Sequence, residues 1–156
     1  MEYKDLVERD GIYYKKFSNV PFTGKVTGKG QGFVKNGKRE GSWVVYHENG
    51  QLKRKGNYKN GKEEGSVVEY YKSGQLFLKF YYKNDRPEGP SFVYHYNGML
   101  SQKANYKNGK AEGFWFNYYK NGKLESKVNY KNSIVKSTVG YDENGNILYC
   151  YKCNNN

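Results

Sequence analysis

Residues 41–64 read GSWVVYHENGQLKRKGNYKNGKEE, and the three stretches that follow keep the same plan. A unit opens on Glu-Gly at Glu40-Gly41, Glu64-Gly65, Glu88-Gly89 and Glu112-Gly113, with an interval of 24 residues each time. Tyr-Lys-Asn closes the units at Tyr58, Tyr82, Tyr106 and Tyr130. A second turn signal stands mid-unit, at Asn49-Gly50, Ser73-Gly74, Asn97-Gly98 and Asn121-Gly122. Self-similarity at one fixed period marks a repeat architecture. Two turns per unit leave two runs of roughly 5–8 residues, the usual length of strands. In the first full unit these are residues 43–47 and 52–58. Helices of ordinary length do not fit between such turns, and Asn-Gly would break them.

The array extends on both sides of these four units. A compressed unit covers residues 24–40, and a shortened last one keeps Asn144-Gly145. The expected organisation is a lead-in segment (1–23), a repeat array (24–149) with units starting near Gly41, Gly65, Gly89 and Gly113, and a tail (150–156). Gly28-Lys29-Gly30-Gln31-Gly32 is glycine-rich, but no helix follows it. It is expected to close a tight hairpin rather than to cradle a phosphate.

Composition agrees with short strands. The chain has 18 Tyr, 8 Phe and 19 Gly but 3 Pro, and its mean hydropathy is −1.06. Tyr and Phe suit strands, and Gly after Asn suits tight turns. So little aliphatic bulk supplies a thin, aromatic-rich sheet better than a thick two-layer core. The fold class expected is all-β: an elongated, twisted, single antiparallel meander of repeated hairpins.

Turn geometry sets the register. A two-residue Asn-Gly loop would place Tyr46 opposite Lys53. A three-residue loop with Gly50 in the left-handed region pairs His47 with Gln51 and places Tyr46 opposite Leu52. The second puts like with like, so bulged hairpins with Gly50, Gly74, Gly98 and Gly122 at positive φ are expected. Strict alternation then assigns a packed face to Val44, Tyr46, Leu52 and Tyr58 and their equivalents, including Phe92 and Phe116. The opposite face carries Trp43 and Trp115, His47, Tyr71, His95 and Tyr119, and a ladder of Lys55, Lys79, Lys103 and Lys127. These ten residues form the candidate binding face. One unit is two strands, so the lysines stand ~9–10 Å apart.

The formal charge is +12, from 27 basic and 15 acidic residues. It favours anionic partners such as acidic proteins, nucleic acid or a membrane surface, and it also serves solubility. No apolar run approaches the ~18 residues of a membrane span. No secretory h-region follows Met1-Glu2-Tyr3-Lys4-Asp5, so the cytoplasm is the default location. Catalytic chemistry finds no motif: no Ser lies in a nucleophile elbow, and Glu40, Glu64, Glu88 and Glu112 read as turn caps. Cys150 and Cys153 have metal-like spacing but lack two further ligands, and they read as free thiols on a terminal strand. No cofactor is expected.

Gly41-Ser42-Trp43, Tyr46 through Leu52 and Tyr58-Lys59-Asn60-Gly61-Lys62 resemble the variant MORN repeat, and residues 113–124 match as closely. The layout also looks like that of the bacterial YwqK-type antitoxin family. The resemblance implies a non-catalytic binding or scaffold role, with an antitoxin or immunity-type inhibitor as its specific form and a toxin or scaffold protein as partner. A binder of anionic ligands (lipid headgroups, nucleic acid or nucleotides) is the alternative. Val67 and Ser91 in place of Trp, and Asp85 and Ser133 in place of turn Gly, depart from the pattern. Those units are expected to be less regular.

Overall fold

The computed structural model describes residues 1–152. The chain divides into two compact units, one of Met1–Gln75 with Tyr82–Asp85, the other of Leu76–Tyr81 with the residues from Arg86 onward. Apart from a short 3-10 turn at Tyr3–Asp5, the regular elements of the described residues are strands.

The first unit holds β1 (Leu6–Arg9), β2 (Ile12–Lys15), β3 (Gly24–Val26), β4 (Gly30–Lys35), β5 (Lys38–Tyr46), β6 (Leu52–Lys59), β7 (Lys62–Glu63) and β8 (Gly65–Tyr70). Strands β3, β4, β5, β6 and β8 pair in chain order, β7 lies off this path on β6, and β1 and β2 form a separate hairpin. The second unit begins in β9 (Leu76–Lys83). It continues through β10 (Arg86–Pro87), β11 (Gly89–Tyr94), β12 (Leu100–Lys107), β13 (Lys110–Ala111), β14 (Gly113–Tyr118), β15 (Leu124–Lys131), β16 (Ile134–Tyr141) and β17 (Ile147–Tyr151). Its main path runs β9, β11, β12, β14, β15, β16, β17. The pairings β5–β6, β11–β12, β12–β14, β14–β15, β15–β16 and β16–β17 are all antiparallel. The expected all-β meander of repeated hairpins is therefore the fold. The glycine-rich segment does close a hairpin, between β3 and β4.

Both turns of the unit follow from their residues. At the mid-unit turn the His47 amide donates to the Gln51 carbonyl at 2.8 Å, and Tyr46 faces Leu52. Gly50, Gly74, Gly98 and Gly122 have φ of 83°, 87°, 84° and 81°, the left-handed conformation that the three-residue loop requires. The closing turn has two residues, with Lys59 facing Lys62 and both Asn60 (φ 52°) and Gly61 (φ 83°) left-handed.

The departures at this turn do not make it irregular. Asp85 and Ser133 keep φ of 63° and 65°. Each also accepts a backbone hydrogen bond through its side chain, Asp85 Oδ1 from the Glu63 amide at 2.6 Å and Ser133 Oγ from the Ala111 amide at 3.0 Å. A short oxygen-bearing side chain offsets part of the left-handed penalty by such a bond. Nor do Val67 and Ser91 disturb the backbone, because β8 and β11 have the same 6 residues as β14. Both side chains are fully buried, where a smaller residue changes the filling and not the pairing.

The lead-in residues are an integral part of the first unit. Leu6, Tyr13 and Phe22 join Val26, Val34, Trp43 and Tyr58 in one buried cluster, with Tyr3 packed on it. Tyr13 stacks on Trp43 with ring centroids 6.4 Å apart and planes inclined by 17°. The β1–β2 hairpin thus covers the apolar side of the first strands, which a repeat stack must close at its ends.

Candidate functional site

The face assignment begins at the hairpin bulge. Tyr46 faces Leu52, but the next residue, Val45, faces Arg54. Lys53 is therefore an extra residue, and alternation slips by one at that point. Beyond it Val44 faces Lys55, Trp43 faces Gly56 and Gly41 faces Tyr58. The same slip occurs at Ser101, between Tyr94–Leu100 and Val93–Gln102, and at Glu125, between Tyr118–Leu124 and Asn117–Ser126.

This corrects the expected faces. Tyr58 lies on the Trp43 side and not on the Val44 side. Lys55 lies with Val44. The ten residues of the candidate binding face consequently fall into three places.

The first place is the packed side. Trp43 is 2 % exposed, and its indole N–H donates to the Phe33 carbonyl at 2.9 Å. Trp115 is half-buried and donates to the Asn105 carbonyl at 3.1 Å, with Tyr106 and Tyr130 at centroid distances of 5.1 and 4.9 Å. Gly56 faces Trp43, Ala104 faces Ser91 and Val128 faces Trp115, so in these three units the partner is small or branched. That complementarity is the signal in the sequence that could have placed Trp43 inside.

The first unit adds a polar cluster to this side that sequence reasoning missed. Arg54 donates to the carboxylates of Glu63 and Glu69, and the Tyr58 hydroxyl donates to Glu63 at 3.0 Å. Arg39 lies 5.1–5.2 Å from the ring centroids of Tyr13, Trp43 and Tyr58. Burial raises the Tyr58 phenol, and the Glu63 carboxylate raises it further. These groups use one another as partners, which is a structural role.

The second place is the hairpin end. The Tyr70 carbonyl accepts from His47 Nε2 at 2.9 Å, and the Tyr118 carbonyl from His95 Nε2 at 2.8 Å. A carbonyl only accepts, so each of these nitrogens carries a proton. The Tyr119 hydroxyl donates to the Tyr141 carbonyl at 2.7 Å. Tyr71 stands at the corresponding turn of its own repeat, where its amide donates to the Gln75 carbonyl at 2.8 Å. The side chains of His47, His95 and Tyr119 tie one hairpin to the next and are committed to that task.

The third place is, within each unit, the side opposite the tryptophan, and it holds Lys55 in the first unit and Lys79, Lys103 and Lys127 in the second. In the first unit Lys55 stands between Val44 and Val68. In the second, the cross-strand row reads Lys79, Phe92, Lys103, Phe116, Lys127, Val139. Cation and aromatic ring alternate from strand to strand. Lys127 Nζ sits 4.1 Å from the Phe114 centroid and 5.8 Å from that of Phe116. Lys79 Nζ sits 5.3 Å from the Tyr81 ring, and a hydrogen bond to that phenol raises its pKa. Phe92 and Phe116, expected on the packed face, share the lysine face instead, and Phe114 is 47 % exposed there.

The recurrent glutamates are turn caps, as read from the sequence. Glu40, Glu64, Glu88 and Glu112 accept from the amides of Asn60, Asn84, Asn108 and Asn132 at 2.7–3.0 Å. Cys150 is disulfide-bonded, so the free thiol expected there is not what the chain has; Cys153 lies outside the described residues. Among the described residues, no group of three His, Cys, Asp or Glu side chains could hold a metal ion. No helix among them is long and apolar enough to cross a membrane.

Residues 39–60, 63–84, 87–108 and 111–132 each match the MORN repeat variant, together more than half of the chain. No curated protein matches it.

Proposed function

Since the chain belongs to the MORN repeat variant family, we propose that it is a non-catalytic binding protein that meets a partner protein with its lysine–aromatic face. A repeat-based binding or scaffold role is what this family suggests. The observation that carries the choice of face is the separation of the two sides. On the packed side each tryptophan donates to a backbone carbonyl and Arg54 to two carboxylates, and at the hairpin ends the histidines hold carbonyls. On the other side, Lys103 and Phe114 are exposed beside half-buried Phe92 and Phe116. Alternating ammonium groups and rings offer both charge and apolar area, the mixture that protein interfaces use. Neutralising a toxin is the specific form that the YwqK-type resemblance implies, with an acidic toxin surface as counterpart in the cytoplasm.

The test is affinity capture from the source cells with the full chain and with a Lys55→Gln, Lys79→Gln, Lys103→Gln, Lys127→Gln variant. Both should give the same circular dichroism spectrum. A specific protein retained by the wild type and lost by the variant supports the reading. Equal capture by both removes this face from the function. An anionic lipid or nucleic acid as the retained species replaces the protein partner with the alternative ligand class.

A further inference from the structure

The proposed binding face has a repeat distance, and the distance selects among partner conformations. Resting on the reading of that face as a protein-binding surface, we infer that the row Lys79–Phe92–Lys103–Phe116–Lys127 takes an acidic segment in the polyproline II conformation, with a carboxylate at every third residue.

These five residues sit on consecutive paired strands β9, β11, β12, β14 and β15. At ~4.8 Å per strand, successive lysines are ~9.6 Å apart and the outer two ~19 Å. A polyproline II helix rises ~3.1 Å per residue with three residues per turn, so one edge repeats every ~9.3 Å and six steps cover ~18.6 Å. The mismatch over the whole row is about half an ångström. An extended strand repeats one side every ~6.7 Å and loses register at the second lysine. An α-helix comes back to the same side after seven residues, ~10.5 Å, and is out by ~2 Å at the third lysine.

Chemistry agrees with the metric. Phe92 and Phe116 stand between the lysines, where the two residues between successive carboxylates would lie. Proline rings pack on aromatic surfaces, and a preformed polyproline II segment loses little entropy on docking. Two residues toward the closing turns, the same face carries Pro90, Asn105, Phe114 and Asn129, none of them acidic, while toward the hairpin bulge Glu125 stands two residues from Lys127. Lys127 keeps its contact with Phe114 while its outer side receives a carboxylate. Long stems let each ammonium reach past the rings.

The experiment uses the isotopically labelled full chain and synthetic peptides of equal charge. One is EPPEPPEPP; the other, EPEPEPP, brings the carboxylates one residue closer. The first should shift amides of Lys79, Phe92, Lys103, Phe116 and Lys127, and bind about tenfold tighter than the second. Lys103→Glu should abolish binding of EPPEPPEPP and accept EPPKPPEPP in its place. Equal affinity for both spacings overturns the inference, as does a set of shifted amides away from the row. Tighter binding of an oligothymidylate of equal charge overturns it in favour of nucleic acid. No detectable binding of either peptide also overturns it. In each of these cases a host protein still captured through the lysines leaves the broader reading standing.

Discussion

At the residue scale, one extra residue decides which side chain meets which. Lys53 lies in the bulge that follows the Gly50 turn, and the slip it introduces sends Lys55 to one side and Trp43 to the other. The turn glycine is the condition for that geometry, since a β-branched residue resists φ near 80°. Gly122→Val should therefore destabilise by ~1 kcal/mol or more, and here a Cβ would also come within 2.5 Å of Met99 Cε. Urea denaturation checks this, and unchanged stability would overturn the register argument. Asp85 offers a sharper contrast. Asp85→Ala keeps the left-handed backbone and loses the bond from the Glu63 amide, a cost of ~1–2 kcal/mol. Asp85→Gly loses the bond but relieves the backbone, so its stability should fall between wild type and the Ala variant. An Ala variant more stable than the Gly variant would refute the account.

At the element scale, each closing turn hangs on the glutamate that opens its own repeat. Glu112 receives the Lys131 ammonium at 2.6 Å and the Asn132 amide at 3.0 Å. The Lys131 hydrogen bond, then the Asn132 amide, holds this carboxyl below its ordinary value of 4.5. A carboxyl with a lowered folded-state pKa stabilises the protein above its unfolded value, and that contribution disappears as pH falls through the folded one. Thermal melts of wild type and Glu112→Gln should thus differ most near neutral pH and converge in acid below 4.5. A constant gap across that window would mean that the charge on Glu112 does not matter. The Lys131 ammonium is exposed, so salt should narrow the gap.

At the scale of the whole molecule, the ends are unlike. A bare linear array would fray at both ends and protect its centre, around residues 66–106. In the first unit, however, the lead-in hairpin closes the stack, and Val26 and Val34 are fully buried within it. At the other end Ile147, Leu148, Tyr149 and Tyr151 of β17 are all more than half exposed. Amide exchange should therefore be fast in β17 and slow in β4 to β6. Equal protection of β17 and β5 would contradict this asymmetry.

Much of this was legible in the residues themselves. A 24-residue period with two turn signals admits strands and little else, and the turn residues dictate loop length and glycine conformation through local backbone sterics alone. The glutamate caps were legible for the same reason, as they stand beside turns at fixed spacing. The sides of the sheet were not. Alternation propagates one parity along a strand, and a single bulged residue inverts it without any mark in composition. Only the paired strands reveal that Trp43 faces Gly56 and fills the core, that His47 and His95 are spent on carbonyls, and that Phe92 and Phe116 stand among the lysines. Local geometry is written residue by residue, whereas the face a residue shows depends on the register of a neighbouring strand.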